Sequence, residues 1–193
     1  KNYQINQNQR YYSTIEWNKE YHRASKTLSQ LVKNTGDDLG EIDEANKESY
    51  SKNLEGYLSE LDKLDEDFKA LAQSVSQKTL IFGDRFPFRY FTDEYGFDYY
   101  AAFVGCSAET EASFETIAFL AKKVDELGAK TVFTIENSDG KIAQAIIDNT
   151  QAKSAKTATL YSLQSVTKDQ LDSDHTYITL MRKNLQTLKE ALD

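Results

Sequence analysis

The chain has 193 residues, 39% of them hydrophobic and 12% aromatic, enough for one domain or one and a half with a real core. Its formal net charge of -8 argues against a nucleic-acid partner, because phosphate binding needs clustered Lys and Arg. The same charge argues against electrostatic docking on an anionic membrane face, and it is compatible with a cation ligand.

The first ten residues, with three Asn and three Gln, read as a frayed tail. From Trp17 the apolar residues Trp17, Tyr21, Ala24, Leu28 and Leu31 fall at helical spacing, and Asn34, Thr35 and Gly36 read as a stop. A second helix is predicted from about Asp43 to Gln77, on the stripe Leu54, Tyr57, Leu58, Leu61, Leu64, Phe68, Leu71 and Val75. Unbroken, it reaches roughly 50 Å, longer than one small domain needs. Gly56 is its weak point, and a coiled-coil arm is the alternative reading.

From Lys78 strands and helices alternate. Thr79 to Phe82 reads as a buried strand, Phe86 to Tyr95 as a short helix, and Tyr99 to Val104 as a second strand. Thr110 to Leu127 reads as a helix ended by Gly128. Thr131 to Ile135 is a third strand, followed by a helix capped by Ser138 or Asp139. Thr157 to Tyr161 is a fourth strand, and Asp174 to Leu192 a closing helix. This alternation predicts an α/β fold: a four-stranded parallel sheet covered on both faces by helices and preceded by a long helix. The expected units are a tail and helix over residues 1–41, the long helix over 42–77, and an α/β lobe over 78–193.

The single Cys106 excludes an intramolecular disulfide and leaves the redox compartment open. Lys1 to Tyr12 is polar, so no signal peptide is expected there, and the apolar run Tyr99 to Cys106 is far too short to span a bilayer.

Parallel α/β sheets bind ligands at the carboxyl ends of their strands, so the residues just after each strand are the candidates. Asp84 follows the first strand. It either ligates a zinc or manganese ion, both of which accept oxygen donors, or caps the next helix and pairs with Arg85 or Arg89. Ser107 and Glu109 sit at a predicted helix start, where acids are favoured and Ser caps. Cys106, also there, reads as a small buried thiol rather than a nucleophile. Glu136 closes the third strand, as a further metal candidate or a supporting acceptor. His22 and His175 show no metal spacing. His175 is kept as a further metal candidate, although both read first as surface or packing residues. No HExxH, no phosphate loop and no Gly-x-Ser-x-Gly elbow occurs, so no enzyme constellation is visible.

Two strings go further than any single residue. Phe82-Gly-Asp-Arg-Phe-Pro-Phe-Arg-Tyr-Phe91 is followed, after Tyr95-Gly96, by Ala101-Ala-Phe-Val-Gly-Cys-Ser-Ala-Glu-Thr-Glu-Ala-Ser113. Over about residues 42 to 192 the chain resembles the C-terminal lobe of the zinc/manganese-type substrate-binding proteins of ABC importers. The resemblance implies two α/β lobes joined by a rigid long helix, with the metal held between them. It implies zinc or manganese as the bound ion, an ABC permease as partner, and an extracytoplasmic location tethered through a segment not present here. It also implies a family ligand after the first strand, where Asp84 stands, and a second, usually Asp, where this chain has Tyr161. Two His ligands belong to the first lobe. Trp17 corresponds to a Trp near one of them, with Ile15 at the His position, so the remaining ligands would come from a missing N-terminal lobe or a second chain. Arg85, Cys106, Ser107, Glu109 and Tyr161 are then the edge of the site. The alternative is a metal-free lobe serving as a protein or solute interaction module, which Tyr161 and Ile15 favour.

Overall fold

The structure, a computed structural model, describes residues 24–103, 112–165 and 175–193. It opens with a helical hairpin. Helix α1 spans Ala24–Ile42, a 3-10 turn follows at Glu44–Asn46, and α2 spans Lys47–Ser74. The α/β part then runs β1 (Thr79–Phe82), α3 (Arg89–Tyr95), β2 (Asp98–Ala101), α4 (Phe114–Leu127), β3 (Thr131–Ile135), α5 (Lys141–Asp148), β4 (Lys156–Leu160) and α6 (Tyr177–Leu192). Among these helices none is long and apolar enough to cross a membrane.

The expected stop at Asn34-Thr35-Gly36 does not occur: α1 runs through it to Ile42. Tertiary packing overrides the local propensity there. A Cβ on Gly36 would lie 2.7 Å from a Leu54 methyl, so the glycine makes room for the Leu54 side chain of α2 against α1. Thr35 also returns its hydroxyl proton to the Leu31 carbonyl, a bond that keeps Thr compatible with a helix interior. The expected start at Trp17 lies outside the described residues. The long helix is 28 residues, about 42 Å at 1.5 Å per residue. It passes Gly56 unbroken and begins after a 3-10 turn rather than at Asp43. Its apolar stripe is buried at Leu61, Leu64, Phe68, Leu71 and Ala72.

All four strands are parallel, in the order β2-β1-β3-β4. Alternate side chains of a strand face opposite sides of a sheet, and the two cores follow that rule. Leu80, Phe82 and Phe133 join Leu64, Phe68, Leu71, Leu185 and Leu188 on the face covered by α2 and α6. Ile81 and Val132 join Leu120, Val124, Ile146 and Ile147 on the face covered by α4 and α5. Burying each such large side chain contributes about 1.5–3 kcal/mol.

Local signals end the elements largely as expected. Ser113 accepts a hydrogen bond from the Thr116 N–H and caps α4, and Gly128 closes it in the left-handed region at φ +59°. Helix α3 starts at Arg89 rather than Phe86, because Phe86-Pro87-Phe88 packs back on the sheet. Phe86 stacks on Tyr99 with centroids 3.6 Å apart, and Phe88 lies over Phe82 at 5.4 Å. Helix α5 is capped neither by Ser138 nor by Asp139. Gly140 holds the cap position at φ +68°, and Asp139 accepts from the Lys141 N–H instead.

Candidate functional site

The strand order reverses between β1 and β3. From β1 the chain crosses outward to β2, and from β3 it crosses the other way to β4. The carboxyl ends of β1 and β3 therefore flank the topological switch point, the place where open α/β sheets form a crevice. Asp84 follows β1 and Glu136 follows β3, so the fold brings both candidate carboxylates to this edge.

Gly83 makes the approach possible. Its N–H donates to the Phe133 carbonyl at 2.9 Å, and a Cβ there would lie 2.4 Å from the Ala143 Cα. Only glycine lets α5 sit this close to the end of β1. Asp84, 7% exposed, accepts from its neighbour's N–H, Arg85, at 2.7 Å and more weakly from the Ile135 N–H at 3.5 Å. The Arg85 Nε is 3.7 Å from the same carboxylate. These contacts realise the pairing with Arg85. Arg89 instead faces Asp93 at 3.9 Å. Around Asp84 a cleft is lined by Gly83, Arg85, Phe103, Asn137, Ser138, Asp139 and Ile142. It is polar on the β3 side, where Lys141 holds the Asp139 carboxyl below its ordinary range.

Glu136, 9% exposed, is turned to a structural task. One carboxylate oxygen accepts the Ser162 N–H and the other the Ser162 hydroxyl, both at 2.6 Å. Charge-assisted bonds this short are the strong kind. From the other side Asn184 holds Tyr161: its carbonyl oxygen accepts the Tyr161 N–H at 2.7 Å, and its amide donates to the Tyr161 carbonyl at 2.8 Å. The loop after β4 is thus pinned at two consecutive residues. Asn137 adds a bond to the Ser165 hydroxyl at 2.9 Å. Asn137 and Leu163 both adopt positive φ, at 62° and 63°. For Leu this is an uncommon conformation that the surrounding bonds must hold in place.

Tyr161 does not line the Asp84 cleft. It lines a separate apolar cavity of about 230 Å³ together with Leu28, Phe68, Phe88, Tyr95, Tyr177 and others. His175 is half-buried two residues ahead of α6 and is not among the residues lining the cleft. Cys106, Ser107 and Glu109 lie outside the described residues. Among the described residues no three of His, Cys, Asp and Glu gather in a way that holds a metal ion. Sequence reasoning missed Ser162 and Asn184 as organisers of the site edge. Each is an ordinary polar residue, 26 and 23 positions from its partner.

Residues 23–191 match the profile of the family described as ZnuA, zinc-uptake complex component A, periplasmic. The zinc-binding protein AdcA of Streptococcus pyogenes serotype M18 is 32% identical over 165 residues, 84% of this chain and 31% of that protein. The high-affinity zinc uptake system protein ZnuA of Bacillus subtilis is 30% identical over 169 residues, 87% of this chain and 51% of that protein. The chain therefore spans about half or less of the length of these relatives. Among solved structures, the metal-dependent lipoprotein YcdH of Bacillus subtilis superposes with a TM-score of 0.72 at 28% identity, covering 88% of this chain and 62% of that one. A parallel sheet behind a long helix, carboxylates at its switch point and a family match across most of the sequence agree: the chain belongs to the ZnuA family of zinc-uptake components.

Proposed function

We propose that this chain captures zinc outside the cytoplasm and delivers it to an ABC permease, with Asp84 as the ligand that its α/β lobe, residues 78–193, contributes. Residues 42–77 act as the connecting helix, and residues 1–41 stand where a first lobe would be joined. The observation that carries this reading is the position of Asp84. Of the two carboxylates at the switch point, Glu136 is engaged by Ser162, whereas Asp84 lines the cleft. The relatives' zinc-binding names support zinc as the cargo. An oxygen donor accepts manganese as well, so manganese is the second cargo to test.

Zinc sites usually take four ligands in a tetrahedron. Further donors therefore come from outside the described residues: Cys106 or Glu109, which follow β2 in the sequence, or another lobe or chain. No residue is assigned a catalytic role; the protein is read as a receptor.

A second reading is favoured by Tyr161, which lines an apolar cavity where the resemblance expects a carboxylate. On that reading the lobe is metal-free and binds a protein or another solute. The chelator-stripped chain, titrated with zinc and then manganese against a competing indicator, separates the two. One-to-one binding tighter than about micromolar, roughly -8 kcal/mol, weakened at least about tenfold (~1.4 kcal/mol) by Asp84→Asn, supports the receptor. Binding no tighter than micromolar, or binding indifferent to Asp84→Asn, overturns it.

A further inference from the structure

The Asp84 cleft carries a cation of its own. Among the described residues that line it, the charged ones are Asp84, Arg85 and Asp139. Asp139 is answered by Lys141, whose ammonium lies 2.6 Å from it, and both of these side chains are exposed. Arg85 answers Asp84. Its Nε is 3.7 Å from Oδ1 of the carboxylate, and its side chain is far more exposed than that of its partner. The acid is buried, and the base that faces it reaches into solvent.

The backbone fixes the acid more firmly than the base. Oδ1 accepts the Arg85 N–H at 2.7 Å, and Oδ2 accepts the Ile135 N–H at 3.5 Å. Gly83, the residue before it, is seated against the backbone of Ala143. The carboxylate therefore stays where the end of β1 puts it. The guanidinium at 3.7 Å is an ion pair too long for a hydrogen bond. Half-exposed pairs of this kind contribute little and exchange readily.

A zinc ion on Oδ1 would sit about 2.1 Å from that oxygen, and so within about 6 Å of the Arg85 Nε unless the side chain moves. Even at the dielectric of water, a divalent and a monovalent cation about 6 Å apart oppose binding by about a factor of ten. Physiological salt lowers this to about a factor of three. If the guanidinium swings out instead, its pair with Asp84 is given up, at a cost of at most similar size. By either route Arg85 opposes zinc at Asp84.

We propose that Arg85 is a built-in competitor of the cargo cation. It neutralises Asp84 until zinc arrives, yields the carboxylate to the metal, and so sets an affinity from which the ion can be released. This rests on the reading of Asp84 as a zinc ligand.

Zinc affinity is measured by competition with an indicator, in about 0.1 M salt, for the full chain and for Asp84→Asn, Arg85→Gln, Arg85→Lys and Lys141→Gln. The Arg85 and Lys141 substitutions fall on exposed side chains and should leave circular dichroism unchanged. Arg85→Gln should bind zinc about three- to tenfold more tightly than the unaltered chain. Arg85→Lys keeps the charge and should stay within about twofold of the unaltered chain. Lys141→Gln removes the same charge from the exposed Asp139 pair and should also stay within about twofold. Absence of zinc binding in the unaltered chain, or binding that Asp84→Asn leaves unchanged, removes the receptor reading and this inference together. Binding that depends on Asp84 but is unchanged or weakened by Arg85→Gln removes the competitor role alone. So does an equal gain in Arg85→Lys, which would assign the effect to side-chain shape, or in Lys141→Gln, which would assign it to net charge.

Discussion

Glu136→Ala removes the acceptor of two hydrogen bonds at once, and the consequence can be worked out from the geometry. The Ser162 N–H and hydroxyl each sit 2.6 Å from a carboxylate oxygen in a half-buried setting. A hydrogen bond to a charged group contributes about 1.5–3 kcal/mol net, less where water can reach the orphaned donor. The hydroxyl can rotate to a new acceptor, but the N–H cannot. A loss of about 2–4 kcal/mol is expected, most of it from the N–H. Glu136→Gln keeps one oxygen for that N–H while the hydroxyl turns to accept from the new amide, so its cost should be about 1 kcal/mol. Ser162→Ala removes only the hydroxyl. Urea unfolding of the four proteins in the Glu136→Ala and Ser162→Ala cycle measures the coupling directly. A cost below about 0.5 kcal/mol for Glu136→Ala, or additive single substitutions, would mean that the carboxylate does not hold the β4 loop, against the reasoning.

Gly83→Ala should destabilise by at least about 1–3 kcal/mol, the usual cost of forcing atoms into a filled space. Its Cβ meets the Ala143 Cα at 2.4 Å and N at 2.8 Å, so Ala143→Gly should fail to rescue it in thermal melts; full rescue would refute a backbone clash. Burial first, and then Asp65, hold the Tyr95 phenol well above its ordinary value of 10.0. A raised folded-state value means that the protonated phenol's stabilisation is complete below about pH 10 and declines as pH rises beyond it. Tyr95→Phe should therefore cost about 1 kcal/mol at neutral pH through the lost bond to Asp65, and should flatten the alkaline loss of stability above pH 10. An alkaline stability profile with the same slope in both proteins would contradict this.

The α/β alternation was legible because each signal is local. Thr79 to Phe82 and Thr131 to Ile135 are short apolar runs, and Ser113 and Gly128 carry their meaning as helix cap and stop in their own chemistry. Asp84 stood out for the same reason, being a carboxylate directly after a buried strand. The stop read at Gly36 was misleading because glycine signals either a break or a close approach, and only the Leu54 contact from the other arm of the hairpin distinguishes them. The family resemblance likewise rested on contiguous strings. By itself, then, the sequence determined the strand and helix order, the family and the identity of the carboxylates at the sheet edge. Tertiary structure alone decided what those groups do. Strand order put the switch point between Asp84 and Glu136, the turn after β4 brought Ser162 onto Glu136, and α6 carried Asn184 to the Tyr161 backbone. The physical reason is that a hydrogen bond depends on distance and direction in space, and partners more than twenty residues apart leave no periodic trace along the chain.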